Sequence, residues 1–296
     1  MNHIQGKYPN ITTLKKAKKY VPEYLQHRAD LAAEGKLSVV TVGSETSALH
    51  KIFGIKREDA LFFHAPKASR TEITRSRGTL GGSGVTFLDL FCRSVGLRGM
   101  KELEPLKGGC LRTYTEIETA ASILTEKLTQ NGSLKRADHD ELNALNAAKE
   151  HFSDFEYFVK VDCGKGGKIR FAPICANGND TAVIVERLRS VPKGERVFAG
   201  VSHETIRNAN THYMRGTYAA AIYHRYALTR EELDRLPKDK HSNAFGGLDY
   251  CSRKYICRGD KKGLVFDRVA LGKTAVALGH SYDRVLDVVD HYSYQF

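Results

Sequence analysis

Two short alternating stretches, each running into a turn that contains glycine and lysine, most constrain the fold of this 296-residue chain. The first runs from Tyr157 to Val161, turns through 164–168 and returns over 169–174, and the second pairs 255–258 with 264–267. Alternation of apolar and polar residues around such a turn is typical of a β-hairpin. The other periodic segments have helical spacing. The sequence therefore predicts a mainly α fold with small β elements (α+β).

The helical segments lie on either side of a basic stretch. Residues 12–32 and 38–53 each place apolar residues at helical spacing; Pro22 is expected to kink or restart the first helix, and Gly54 suits the end of the second. Further helices are predicted up to about Gly96, over 111–128, 137–151, 180–190, 203–209 and 211–227, and at the end of the chain. We divide the chain into a short helical domain (1–66), a basic linker (67–77) and a larger mixed α/β domain (78–296).

The charge of the chain favours a polyanionic partner. Lys and Arg number 46 against 34 Asp and Glu, a net charge of +12, which suits nucleic acid or an anionic membrane surface. No apolar run approaches the roughly 18 residues of a membrane span, and the first residues lack an apolar signal core. The six cysteines are scattered without a CxxC pair, so we expect free thiols in a cytosolic protein.

Four short motifs carry side chains suited to phosphoryl transfer, although each one alone fits an ordinary polar surface. They are Gly96-Leu97-Arg98 followed by Glu102-Leu103, Gly164 to Arg170, His212-Tyr213-Met214-Arg215, and Leu278-Gly279-His280 followed by Tyr292. Paired arginines can grip a phosphodiester, and histidines can move protons near neutral pH. A lysine can protonate a leaving alkoxide, and a tyrosine hydroxyl can act as a nucleophile. Because no acidic cluster suits a two-metal site, we expect no metal.

In their order and residue types, the motifs resemble those of the tyrosine recombinase, or phage integrase, family. The tract from Tyr255 to Tyr292 resembles integrases of conjugative transposons from Gram-positive bacteria, and the first domain resembles the family's helical, SAM-like core-binding domain. The resemblance implies catalytic roles for Arg98, Lys165, His212, Arg215, His280 and Tyr292. Glu102 lies four residues after Arg98 where the family has three, and the last gaps are long, so Tyr294 and then Tyr282 are alternative nucleophiles.

The resemblance also implies a function. We expect a site-specific recombinase that cleaves and rejoins double-stranded DNA through a 3′-phosphotyrosine, integrating or excising a mobile element without a metal or organic cofactor. It would act as a homotetramer on DNA, with accessory DNA-bending proteins, in the cytoplasm and nucleoid of a bacterium and away from membranes. The alternatives are a type IB topoisomerase-like enzyme that relaxes DNA and a catalytically inactive DNA-binding relic. The hairpin insertion around 255–267 is expected to touch DNA or a neighbouring protomer, and the alternative is a solvated surface hairpin.

Overall fold

The computed structural model describes residues 6–66, 87–164, 167–237, 252–258 and 261–296. The chain divides into two compact units, Met1–Ser76 and Arg77–Phe296. The predicted linker at 67–77 lies outside the described residues, and so do Lys165 and Cys251. Across the described ranges, no helix combines the length and the apolar character needed to cross a membrane.

The first unit is helical. It contains α1 (Leu14–Ala17), a 3-10 turn (Lys18–Tyr20), α2 (Val21–Ala33) and α3 (Val39–Phe53). Pro22 lies in the first turn of α2, where its missing N–H costs no hydrogen bond, so the predicted restart of the first helix is confirmed. Gly54 ends α3 in the left-handed conformation, as predicted.

The second unit combines helices with two small antiparallel sheets, which confirms the mainly α class. Its described helices are α4 (Phe87–Val95), α5 (Gly99–Leu103), α6 (Tyr114–Asn131), α7 (Arg136–His151), α8 (Gly178–Ser190), α9 (His203–Asn208), α10 (Thr211–Tyr226), α11 (Arg230–Arg235), α12 (Arg268–Ala277) and α13 (Val285–Tyr292). The predicted helix start at residue 111 is wrong. Thr113 caps α6 through a capping box, and the three residues before α6 are a strand.

Both predicted hairpins are present. The first pairs β2 (Tyr157–Val161) with β3 (Arg170–Pro173), and β1 (Leu111–Thr113) adds a third strand beside β2. The second pairs β4 (Lys254–Ile256) with β5 (Val265–Asp267). Asp267 ends β5 and caps α12, so the second hairpin leads directly into that helix.

Helix α10 lies between the two apolar clusters of the second unit. Met214 belongs to a cluster with Leu97, whereas Tyr218 belongs to a cluster that includes Leu278 and Tyr292. The segments that carry Gly96-Leu97-Arg98, Leu278-Gly279-His280 and Tyr292 therefore pack around α10, which itself carries His212 and Arg215. Arg215 of α10 is 1% exposed, so its guanidinium is enclosed by these segments and must find its partners among them.

Candidate active site

The turn before α5 requires a glycine at residue 96. Gly96 has a φ of +63°, and a Cβ built on it would lie 2.2 Å from the Cδ1 of the buried Tyr218 ring. The turn brings Arg98 to the start of α5, where Glu102 accepts the Arg98 backbone N–H at 2.9 Å. The spacing of four residues between Arg98 and Glu102 thus places the carboxylate at the first turn of the helix.

Arg215 joins three of the predicted motifs. Its guanidinium donates to the backbone carbonyl of Gly96 and to that of Leu278, and its Nε donates to the Tyr292 hydroxyl at 3.1 Å. Burial lowers the pKa of Arg215 to about 10, with help from the nearby charges of Arg170 and Arg98, so the side chain stays protonated near neutral pH. A fixed cation thus lies beside a tyrosine hydroxyl.

Tyr292 ends α13 and is 5% exposed. Besides its hydrogen bond with Arg215, its ring lies 5.4 Å from that of His212, measured between centroids. The alternative nucleophiles have other partners. The Tyr294 hydroxyl accepts from the Gln295 side chain at 3.3 Å, and the Tyr282 ring stacks on His151 at 4.9 Å. The contact with Arg215 therefore favours Tyr292 over these two.

His280 completes the group from the side of Arg98. The Arg98 guanidinium lies 3.0 Å from His280 Nε2, and the other ring nitrogen lies 3.7 Å from the Asp287 carboxylate. Burial, followed by the charges of Arg98 and Arg215, lowers the pKa of His280 to about 4. The imidazole is therefore neutral near pH 7. Its Nε2 accepts a hydrogen bond from Arg98, and the proton on its Nδ1 faces the Asp287 carboxylate.

A buried ion pair between Arg170 and Glu102, which sequence reasoning missed, supports the site. Arg170 on β3 donates to the Glu102 carboxylate at 2.7 Å, to the Ala277 carbonyl at 2.8 Å and to the Gly96 carbonyl at 3.2 Å. Although burial raises the pKa of Glu102, the charges of Arg170 and Arg215 and the Arg98 amide outweigh it and lower the pKa. Arg170 is the last residue of the Gly164–Arg170 motif, and this position is the one sequence signal that points to it.

Lys165 lies outside the described residues, but its neighbour can be placed. Gly164 donates to the Lys168 carbonyl at 3.1 Å, which closes the base of the hairpin tip. A Cβ built on Gly164 would lie 3.9 Å from Glu102 Oε1. The hairpin thus approaches the site at the residue before Lys165. The structure brings the other five predicted catalytic residues close together. They are Arg98, His212, Arg215, His280 and Tyr292.

The arrangement suits an anionic ligand. Arg98, Arg170 and Arg215 are close enough for the first two to lower the pKa of the third, and Glu102 is the carboxylate buried with them. A phosphodiester would neutralise the remaining positive charge, and its oxygens would accept hydrogen bonds from the guanidiniums. Within the described residues, no group of three His, Cys, Asp or Glu side chains could hold a metal ion.

Comparison of the chain with protein-family models, with curated proteins and with solved structures found no match. We therefore infer the function from the chain's own residues and their geometry.

Proposed function

We propose that the protein is a tyrosine-type site-specific DNA recombinase that cleaves and rejoins double-stranded DNA through a 3′-phosphotyrosine. The observation that carries the proposal is the hydrogen bond of 3.1 Å between Arg215 Nε and the Tyr292 hydroxyl. A nucleophile and a transition-state donor that touch each other can act on the same phosphate. Four motifs spread along the chain supply the remaining polar groups around this pair.

In the proposed reaction, the Tyr292 oxygen attacks the scissile phosphorus, a P–O bond to tyrosine forms, and the bond to the 5′-oxygen breaks. Arg98 and Arg215 stabilise the charge on the non-bridging oxygens. The proton of the Tyr292 hydroxyl passes to one of the two histidines of the site, neutral His280 or His212, whose ring lies 5.4 Å from that of Tyr292 between centroids. Lys165 protonates the departing 5′-oxygen. Rejoining reverses these steps with a new 5′-hydroxyl, so neither metal nor nucleotide cofactor enters.

At the level of the assembly, the proposal is a homotetramer that exchanges strands between two duplexes and integrates or excises a mobile element in the bacterial cytoplasm. The helical domain at 1–66 and the catalytic domain at 78–296 would both contact phosphates, with accessory DNA-bending proteins shaping the complex. The +12 net charge supports a DNA partner.

A nicked suicide substrate tests the chemistry, because the strand fragment downstream of the cut diffuses away and traps the covalent complex. We expect the native protein to form a covalent adduct on DNA and Tyr292→Phe to form none while binding the same DNA. The loss follows from removal of the attacking oxygen alone. Tyr294→Phe and Tyr282→Phe are the matched controls and should both form the adduct.

Each other outcome has a definite meaning. An adduct with Tyr292→Phe but not with Tyr294→Phe would move the nucleophile by two residues. Binding without any adduct from the native protein would indicate a DNA-binding relic. A protein that forms the adduct, stays monomeric on DNA and relaxes supercoiled DNA without joining two duplexes would be a topoisomerase-like enzyme.

A further inference from the structure

Lys261, in the turn that joins β4 to β5, contacts the end of the helix that carries Tyr292. Its Nζ donates to the Val289 carbonyl at 2.5 Å and to the Ser293 hydroxyl at 2.6 Å. The Ser293 hydroxyl in turn donates to the Val289 carbonyl at 2.6 Å. Lysine, serine and carbonyl thus form a closed triangle around the last turn of α13.

The triangle lies where a helix needs a cation. The last carbonyls of a helix lack partners within it and carry the negative end of its dipole, so an ammonium there is favourable. Val289 and Ser293 flank Tyr292 in the same turn. Fixing both of them limits how far the backbone of Tyr292 can rotate or translate.

The support for Lys261 is itself fixed. The Leu264 N–H donates to the Lys261 carbonyl at 3.1 Å, and the N–H of the buried Cys257 donates to the Leu264 carbonyl at 2.9 Å. The strand that follows ends at Asp267, which accepts two backbone N–H groups at the start of α12. The second hairpin therefore connects α12, which leads to His280, with the end of α13.

We propose that Lys261 is a positioning residue for Tyr292, an inference that rests on the recombinase function proposed above. By capping α13, it holds the Tyr292 hydroxyl against Arg215 and thus in line for attack, without touching DNA. The hairpin was expected to touch DNA or a neighbouring protomer, but its first tip lysine is committed to its own chain. Lys262, one residue on, is exposed and supplies a control of equal charge.

The test compares Lys261→Met, which keeps the length of the side chain but not its charge, with Lys262→Met, and adds Ser293→Ala as a second way to open the triangle. Hydrogen exchange of the amides at 290–296, measured without DNA, reports the contact independently of any activity. We expect faster exchange in Lys261→Met and Ser293→Ala than in the native protein, and no change in Lys262→Met.

Single-turnover cleavage then separates positioning from other roles. We expect Lys261→Met to cleave about ten- to a hundredfold more slowly, the range that a displacement of about 1 Å can produce, with unchanged DNA affinity. The loss should be equal on a substrate whose leaving 5′-oxygen is replaced by sulfur, because the attacking group is affected. Lys165→Ala, by contrast, should be rescued by sulfur, since a thiolate leaves without a proton.

Four results would overturn the assignment: native exchange rates in Lys261→Met, a cleavage rate equal to or above the native rate, rescue by sulfur, or a loss confined to DNA affinity. If the native protein forms no adduct at all, the proposed function fails. The exchange measurement then still shows whether Lys261 fixes the end of α13.

Discussion

At the scale of single residues, Arg215 serves both the fold and the proposed reaction. Two of its donors satisfy the carbonyls of Gly96 and Leu278, and the third reaches Tyr292. Arg98 differs because it is half-buried and its guanidinium faces His280. Loss of these two arginines should therefore have different consequences for stability, even if both contact the same phosphate.

We expect Arg98→Ala and Arg215→Ala each to slow single-turnover cleavage at least about 10²-fold, as loss of one transition-state donor does. Arg215→Ala should also lower the free energy of unfolding by about 2–4 kcal/mol, because it removes the donor to the buried Leu278 carbonyl and one of the two donors to Gly96, and leaves a cavity behind. Denaturant titration should show much less change for Arg98→Ala.

The exposed Arg230, paired with Asp234 on α11, provides the control of equal charge. Arg230→Ala should change neither cleavage nor stability appreciably. A cleavage loss of less than about threefold for either site arginine, far below the usual effect of a lost donor, would remove it from the phosphate site.

The residues of the site were predictable to different degrees. Arg98, His212, Arg215, His280 and Tyr292 stand in short motifs, and the structure brings them together; their catalytic roles stay predictions. The ion pair between Arg170 and Glu102 could not be predicted, because it joins residues 68 positions apart and has no local signature. Nor does the sequence show that His280 loses basicity, since that depends on burial and on arginines brought close by the fold.

At the scale of elements, the turn between α4 and α5 is held by shape as well as by hydrogen bonds. Gly96 packs against the ring of Tyr218, whose hydroxyl donates to the Pro173 carbonyl at 3.0 Å and fixes the ring. The helix boundaries at Pro22 and Gly54 and both hairpins followed from proline, glycine and alternation. Strand β1 did not, because three residues are too few to show an alternating pattern, and its identity depends on pairing with β2.

We expect Gly96→Ala to be far more damaging than Gly132→Ala. Both glycines have positive φ, at +63° and +68°, so the backbone strain is similar, about 1–2 kcal/mol. A Cβ at residue 132 meets nothing within 4 Å, whereas one at residue 96 overlaps the Tyr218 ring. Thermal unfolding should show a small decrease in Tm for Gly132→Ala and a large one for Gly96→Ala, which should also lose cleavage.

Equal destabilisation of the two variants would contradict this account. It would mean that Tyr218 moves aside without cost and that the turn is not fixed by its packing.

At the scale of the whole molecule, charge is the main property that bears on the proposed partner. The chain carries 46 Lys and Arg against 34 Asp and Glu, while the candidate site uses only a few of them. Most basic residues therefore lie outside the candidate site and are available to the DNA partner that we propose. The excess of basic residues is visible in the composition. Which surface carries these residues could not be predicted, because that depends on how the chain folds.

We expect DNA binding to depend strongly on salt. With about 6–10 phosphate contacts, affinity should fall by about 10³–10⁵ between 50 and 200 mM salt, because binding releases condensed counterions. Tyr292→Phe is the protein to use, since it cannot form the covalent complex that would obscure equilibrium binding. An affinity that stays constant over this range would argue against a polyanionic partner for this basic chain.

The contacts that meet at Arg215 and His280 have a kinetic consequence for folding. They join residues between 63 and 182 positions apart along the chain. Pairings of such high contact order form late, after helices and hairpins that need only local closure. A partly folded chain would thus already carry its basic charge, yet the tyrosine and its arginine would still be apart. For the proposed recombinase, this ordering means that the ability to bind a polyanion would precede the ability to break it, so an immature chain that adheres to DNA would leave the strand intact.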